Sequence, residues 1–163
     1  MDTETSFERI LADVGAEHRA WMRLMGRLSP EEATARPKDG WSAVDALVHV
    51  TAWKENAAKV ARLQAEPGAA EIDPNQGSAG ALGINVDAFN AEVFEAHRDW
   101  APERAVAWSE QIHRELLSAL SALPEERLLG GRGRHGARRW CSLPAMSHPR
   151  EHLNEVERQL GDV

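Results

Sequence analysis

The sequence predicts an all-α fold, and more narrowly a four-helix bundle with a long crossover connection and short extra helical turns. Three observations carry that prediction. Alanine, leucine, glutamate and arginine dominate the 163 residues, tyrosine is absent and β-branched runs are missing, a bias toward helix. Four long segments place apolar residues at helical spacing. Capping residues or prolines stand where those segments begin. The length is most simply one domain, residues 1–163, large enough to bury a real core.

The first helix is expected from Thr5-Ser6-Phe7-Glu8, read as a capping box with Thr5 as N-cap, to about Leu28. Phe7, Ile10, Leu11, Val14, Trp21 and Leu24 form its apolar face. Ser29-Pro30-Glu31-Glu32 starts a short turn of helix, which Arg36-Pro37-Lys38-Asp39-Gly40 breaks. Ser42 with Asp45 is a third capping signal, opening a helix from about Ala43 to Ala65. Val44, Leu47, Val48 and Thr51 make one stripe on it. His49, Trp53, Ala57 and Val60 make a neighbouring one, so this helix is wide enough in its apolar surface to lie between two others.

Residues Gly68 to Gly83 read as a long irregular connection, a lid or a crossover. Helical spacing resumes at Val86, and Ala101-Pro102-Glu103 restarts it with proline at the first helical position, to about Leu123. Pro124 begins a short turn ending near Leu128. Gly130 to Arg139 is a glycine- and arginine-rich loop. Ser142 or Ser147 then caps a final helix, to about Leu160.

Charge and cysteine usage narrow the function. Nineteen Lys and Arg against 26 Asp and Glu give a formal net charge of −7, which argues against general nucleic-acid or anionic-membrane binding. No apolar run approaches the length of a membrane span. The acidic, polar Met1-Asp2-Thr3-Glu4-Thr5 is unlike a secretory signal. Cys141 is the single cysteine, so no internal disulfide can form, and a reducing cytoplasm is the expected home.

The chemistry-bearing stretch is Ser147-His148-Pro149-Arg150-Glu151-His152. A His-x-x-x-His pair on one helix face offers two imidazoles to one ion, and a transition metal needs a further ligand. His49 is the best candidate for it. Alone, the pair is equally consistent with two surface histidines.

Gly40-Trp41-Ser42 opening the second long helix, His49 later on that helix, Thr51-Ala52-Trp53 after it, Asn90 near the start of the third and the final-helix His148/His152 pair together resemble the DinB superfamily. The likeness is nearest to its ClbS/DfsB-like branch. That resemblance implies a four-helix bundle holding one divalent metal by His49, His148 and His152. It also implies chemistry on reactive small molecules, by hydrolysis or by transfer of low-molecular-weight thiols. Three neutral imidazoles with open positions suit zinc first, nickel or ferrous iron next, as a Lewis acid. One departure stands out. Pro149 lies between the paired histidines, so either the final helix starts near Ser147 with Pro149 in its first turn, or it kinks there. Pro144 discourages an earlier start and favours the first geometry.

Other residues have two readings each. Asp45, one turn before His49, either orients it from behind or merely completes the Ser42 cap. Glu55 is a general base only if it faces the cavity. Trp53 lines a pocket or packs in the core. Arg138 and Arg139 belong to a surface loop or clamp an anion at the pocket mouth. Nothing near Cys141 activates it. His18, His97, His113 and His135 have no partner at ligand spacing and read as surface or core residues.

The first functional expectation is therefore a metal-dependent enzyme, a hydrolase or thiol transferase with a protective role. The alternatives are a protein that sequesters a small ligand without turnover, and a structural bundle with a vestigial site. The partners expected are a small-molecule substrate, with or without a thiol cosubstrate, and a second copy in a homodimer, since wide apolar helix faces favour pairing.

Overall fold

The computed structural model describes residues 3–73, 77–124, 126–127 and 143–161, with side chains outside the description at residues 3–7 and 143–144. The elements are α1 (Thr3–Arg27), α2 (Pro30–Thr34), α3 (Ala43–Ala65), α4 (Gly77–Ala81), α5 (Val86–His97), α6 (Pro102–Ser121), a π-helical turn (Leu143–Ser147) and α7 (His148–Gly161). No strand occurs among the described residues.

Helix α3 is the centre of the bundle. Eighteen of its 23 residues are buried, so it cannot be a surface helix with one apolar face. It packs on α6, α5, α7 and the π-turn, while α1 closes against α6, the π-turn and α7. Its start is fixed chemically. Ser42 Oγ accepts from Asp45 N at 3.0 Å, and Asp45 Oδ2 accepts from Ser42 N at 2.9 Å, the reciprocal capping box its sequence predicts. Ser29 and Glu32 cap α2 the same way, with Pro30 in its first turn. Pro102 opens α6, as its position predicts.

The core divides into two clusters. Ile10, Val14, Ala57, Val60, Leu116 and Leu120 fill one end. Trp21, Leu24, Val44, Leu47, Val93, Leu153 and Val156 fill the other, beneath the histidines.

Three boundaries differ from expectation. Helix α1 begins at Thr3, so Thr5 stands inside it rather than as its N-cap. The Gly68–Gly83 connection is not wholly irregular. It contains the short helix α4, and Arg127 and Gln64 tie its first half down through Ala69 O at 2.6 Å and Ala70 O at 2.8 Å. The final helix does not start from Ser147 as an N-cap, because Ser147 belongs to the π-turn that runs into α7 without a break. A π-turn is wider than an α-turn, and that width accommodates Pro149, which would otherwise crowd the carbonyl four residues back. The Pro124 turn is described only in part, and the arginine-rich loop with Arg138, Arg139 and Cys141 lies outside the described residues.

Candidate metal centre

His49 projects from the buried middle of α3, and His148 and His152 lie one turn apart on α7. Their Nε2 atoms converge. His49 Nε2 lies 3.0 Å from His148 Nε2, and His152 Nε2 lies 3.1 Å from His148 Nε2. The three rings meet edge to face, with centroids 4.7–4.9 Å apart.

The residues present fit a metal. Zinc–nitrogen bonds of about 2.0–2.1 Å in a tetrahedron put ligand nitrogens about 3.3 Å apart, close to the two spacings from His148, and all three ligand nitrogens lie within 4.8 Å of one another. One proton on His148 Nε2 can satisfy one neighbouring nitrogen and not both, so hydrogen bonding alone leaves the cluster short of a partner. The rings are held neutral, the state that ligates. Burial, then the His148 and His152 charges, push His49 down to about 3. Burial and then His152 push His148 down to about 4. Burial also lowers His152, although Glu155 and Glu151 pull the other way. Among the described residues this is the one group of three or more His, Cys, Asp or Glu gathered closely enough to hold an ion.

The surroundings orient the ligands. Glu155 Oε2 stands 3.5 Å from His152 Nδ1, an electrostatic contact that favours a proton on that nitrogen and leaves Nε2 free. The Trp41 indole tilts over His49 at 4.6 Å and lies nearly parallel to His152 at 5.6 Å, covering one side of two of the three rings. Trp41, His49, Asn90, Phe94 and His97 line a small cavity behind His49.

On this geometry the family comparison is decisive: a model of the DinB superfamily matches residues 14–156. This chain belongs to the DinB superfamily. A crystal structure of an uncharacterised protein from Escherichia coli UTI89 has the same fold as this DinB protein. The two share 11% identity over 95% of this chain and 94% of that one, with a TM-score of 0.65. None of the curated proteins matches.

The other sequence candidates are placed as follows. Asp45 does complete the cap, and it does more. Arg36 Nε and Nη2 donate to its two carboxylate oxygens at 2.7 and 2.8 Å, locking the loop before α3 to the turn below His49. Burial alone would raise the Asp45 pKa, but the Arg36 and Ser42 hydrogen bonds outweigh it and hold the carboxyl below its usual range. Glu55 does not join the triad. It pairs with Lys59 at 3.1 Å along α3. Trp53 turns its indole N–H to Asn90 Oδ1 at 3.0 Å and packs on Phe89, so Trp41 rather than Trp53 covers the histidines. Arg138 and Arg139 fall outside the described residues.

Sequence reasoning also missed a second histidine pair. His18 of α1 and His113 of α6 stack face to face at 3.9 Å with 8° between their planes. Neither Nδ1 has a hydrogen-bond partner among the described residues. Burial, then His113, Lys54, Arg19 and Arg114, depress His18 to about 3, and burial, then Lys54, Arg19 and Arg114, depress His113 to about 4. Its only sequence signal was that both helices pass through the core, which does not register one against the other.

Proposed function

We propose that His49, His148 and His152 hold one divalent transition metal, and that the chain is a metal-dependent enzyme acting on a reactive small molecule by hydrolysis or by transfer of a low-molecular-weight thiol. The observation that carries this reading is the convergence of three uncharged imidazoles whose ligand nitrogens lie within 4.8 Å of one another. A metal held by three imidazoles supplies a Lewis acid with an open position.

The chain's own residues would do the rest. Asp45, fixed by Arg36, anchors the turn that carries His49. Trp41 shields the triad and forms the wall between it and an outer groove of about 480 Å³, lined by Pro37, Val156 and Leu160 among others. That volume suits a small molecule with apolar surface. Zinc is the first candidate metal, with nickel and iron behind it. A protective role against an electrophile is the physiological setting that fits this chemistry best.

The test is turnover. Metal-loaded protein is offered activated esters and strained electrophiles, each with and without a low-molecular-weight thiol. Turnover that disappears in a folded His148→Ala variant supports the reading. A wild-type protein that binds its metal yet converts none of these classes would favour sequestration instead.

A further inference from the structure

Of the three ligands, His148 is the least secured by its own helix. His49 sits nearly two turns inside α3, and His152 is a turn inside α7. His148 stands at the junction where the π-turn ends and α7 begins. The hydrogen-bond ladder changes period there, and the next residue, Pro149, has no N–H to contribute.

Helix α1 reaches this junction twice. Trp21, fully buried, donates its indole Nε1–H to the Pro149 carbonyl at 3.0 Å, from 128 residues away. A carbonyl oxygen has two lone pairs, so this bond adds to whatever α7 makes of the same group. Four residues earlier on α1, on the same face, Glu17 Oε1 accepts from Arg150 Nε at 2.6 Å and from Arg150 Nη2 as well. The two contacts hold residues 149 and 150, the two that follow His148.

The Glu17 contact is not arranged for stability. Its carboxylate is buried, with a side-chain exposure of 3%, and its Oε2 has no hydrogen-bond partner among the described residues. Arg150 meanwhile stays largely exposed, at 65%. A buried carboxylate with one oxygen unsatisfied is a poor source of folding energy, and the best-attested use of such a pair is to fix register. The register fixed here is that of α7 against α1, which sets where His148 points.

We infer that Trp21 and Glu17 are positioning residues for the metal centre: one turn apart on α1, they clamp the backbone after His148 and hold its imidazole against His49 and His152. The inference rests on the triad being a metal site.

The test measures zinc affinity by competition with a chromogenic chelator, for full-length wild type, Trp21→Phe, Glu17→Gln and Val60→Ala. Trp21→Phe keeps an aromatic ring and removes the donor. Glu17→Gln keeps the shape and removes the charge. Val60→Ala loosens the other core cluster without touching the Trp21 or Glu17 contacts and serves as the control for stability alone. The expected result is zinc bound at least about tenfold more weakly by Trp21→Phe and by Glu17→Gln, as for loss of other groups that orient metal ligands, with Val60→Ala like wild type. Cobalt-substituted samples should show an altered visible spectrum in the two α1 variants only. Wild-type affinity in folded Glu17→Gln and Trp21→Phe would overturn the clamp, and so would an equal loss in Val60→Ala. Should Trp21→Phe not fold, Glu17→Gln alone decides. A wild-type protein that binds no zinc would overturn the metal reading itself, a separate and distinguishable failure.

Discussion

His49 Nε2 and His148 Nε2 lie 3.0 Å apart although 99 residues separate them in the chain. A buried imidazole and a half-buried one brought nose to nose in this way, with a third beside them, need either shared protons or a cation. Burial keeps all three rings uncharged, and a single shared N–H serves only one neighbour, so a cation fits the cluster better than hydrogen bonding alone.

The loop before α3 should tolerate no side chain at Gly40. A Cβ there would stand 2.8 Å from Pro37 Cγ and 3.2 Å from Gln159 Nε2. Gly40→Ala therefore forces Pro37 of the same loop aside and shifts the neighbouring Trp41 against the histidines. A cost of about 1–3 kcal/mol in urea unfolding is expected, as for other overpacked sites, together with faster removal of metal by a chelator. Unchanged stability and unchanged chelation rate would show that the loop is looser than its contacts indicate.

Arg36 and Asp45 make a pair of unequal burial, with side-chain exposures of 37% and 2%. Arg36→Ala leaves the buried carboxylate with only its Ser42 partner. A loss of roughly 2 kcal/mol at neutral pH is expected, below the full cost of breaking a wholly buried pair because the arginine is partly solvated. The folded-state pKa of Asp45 is lowered, so the pair's contribution is complete above the unfolded carboxyl pKa of 3.8 and is lost as pH falls through the folded value. The wild-type and Arg36→Ala stabilities should therefore converge in strong acid. Parallel curves down to pH 2 would assign the loss to packing.

Much of the architecture was legible beforehand, and the legible parts share a cause. The Ser42/Asp45 and Ser29/Glu32 boxes, the Pro102 start and the wide apolar surface of α3 are local signals, and the structure keeps them. The three histidines were legible from their order along the chain. What was hidden depends on how distant elements register. Trp41 rather than Trp53 covers the triad because the loop docks on α7, and His18 meets His113 only once α1 lies on α6. The π-turn before His148 changes the period of the backbone ladder without leaving a pattern in side-chain types.

The His18–His113 stack should make the protein acid-sensitive. Both rings remain neutral in the fold down to about pH 3 and 4, whereas in the unfolded chain they take up protons near the ordinary imidazole value of 6.5. The unfolded state thus binds more protons below pH 6.5, and stability falls as pH drops from there toward 4, by up to about 1.4 kcal/mol per pH unit for each ring. The triad rings are lowered too and add to the same acid sensitivity, so the pair is isolated by substitution. His113→Phe retains a ring in the stack and removes one proton site, so its acid-unfolding midpoint should move to lower pH. An unchanged midpoint would remove the pair as the source.

Pro149→Ala should be close to neutral. The π-turn already provides the room that proline needs, and the substitution chiefly frees the unfolded chain, so stability should stay within about 1 kcal/mol of wild type in urea. A gain approaching the roughly 3 kcal/mol that a proline costs inside a regular α-helix would mean that Pro149 strains the fold.

The most direct test of the central claim is the metal content of protein purified without an affinity tag, by elemental analysis, beside a His49→Ala, His152→Ala double variant. About one divalent transition metal per wild-type chain is expected, after zinc reconstitution if it is lost in purification, and almost none in the folded double variant. Stoichiometric metal surviving in that variant, or a wild-type chain that takes up no zinc, would contradict it.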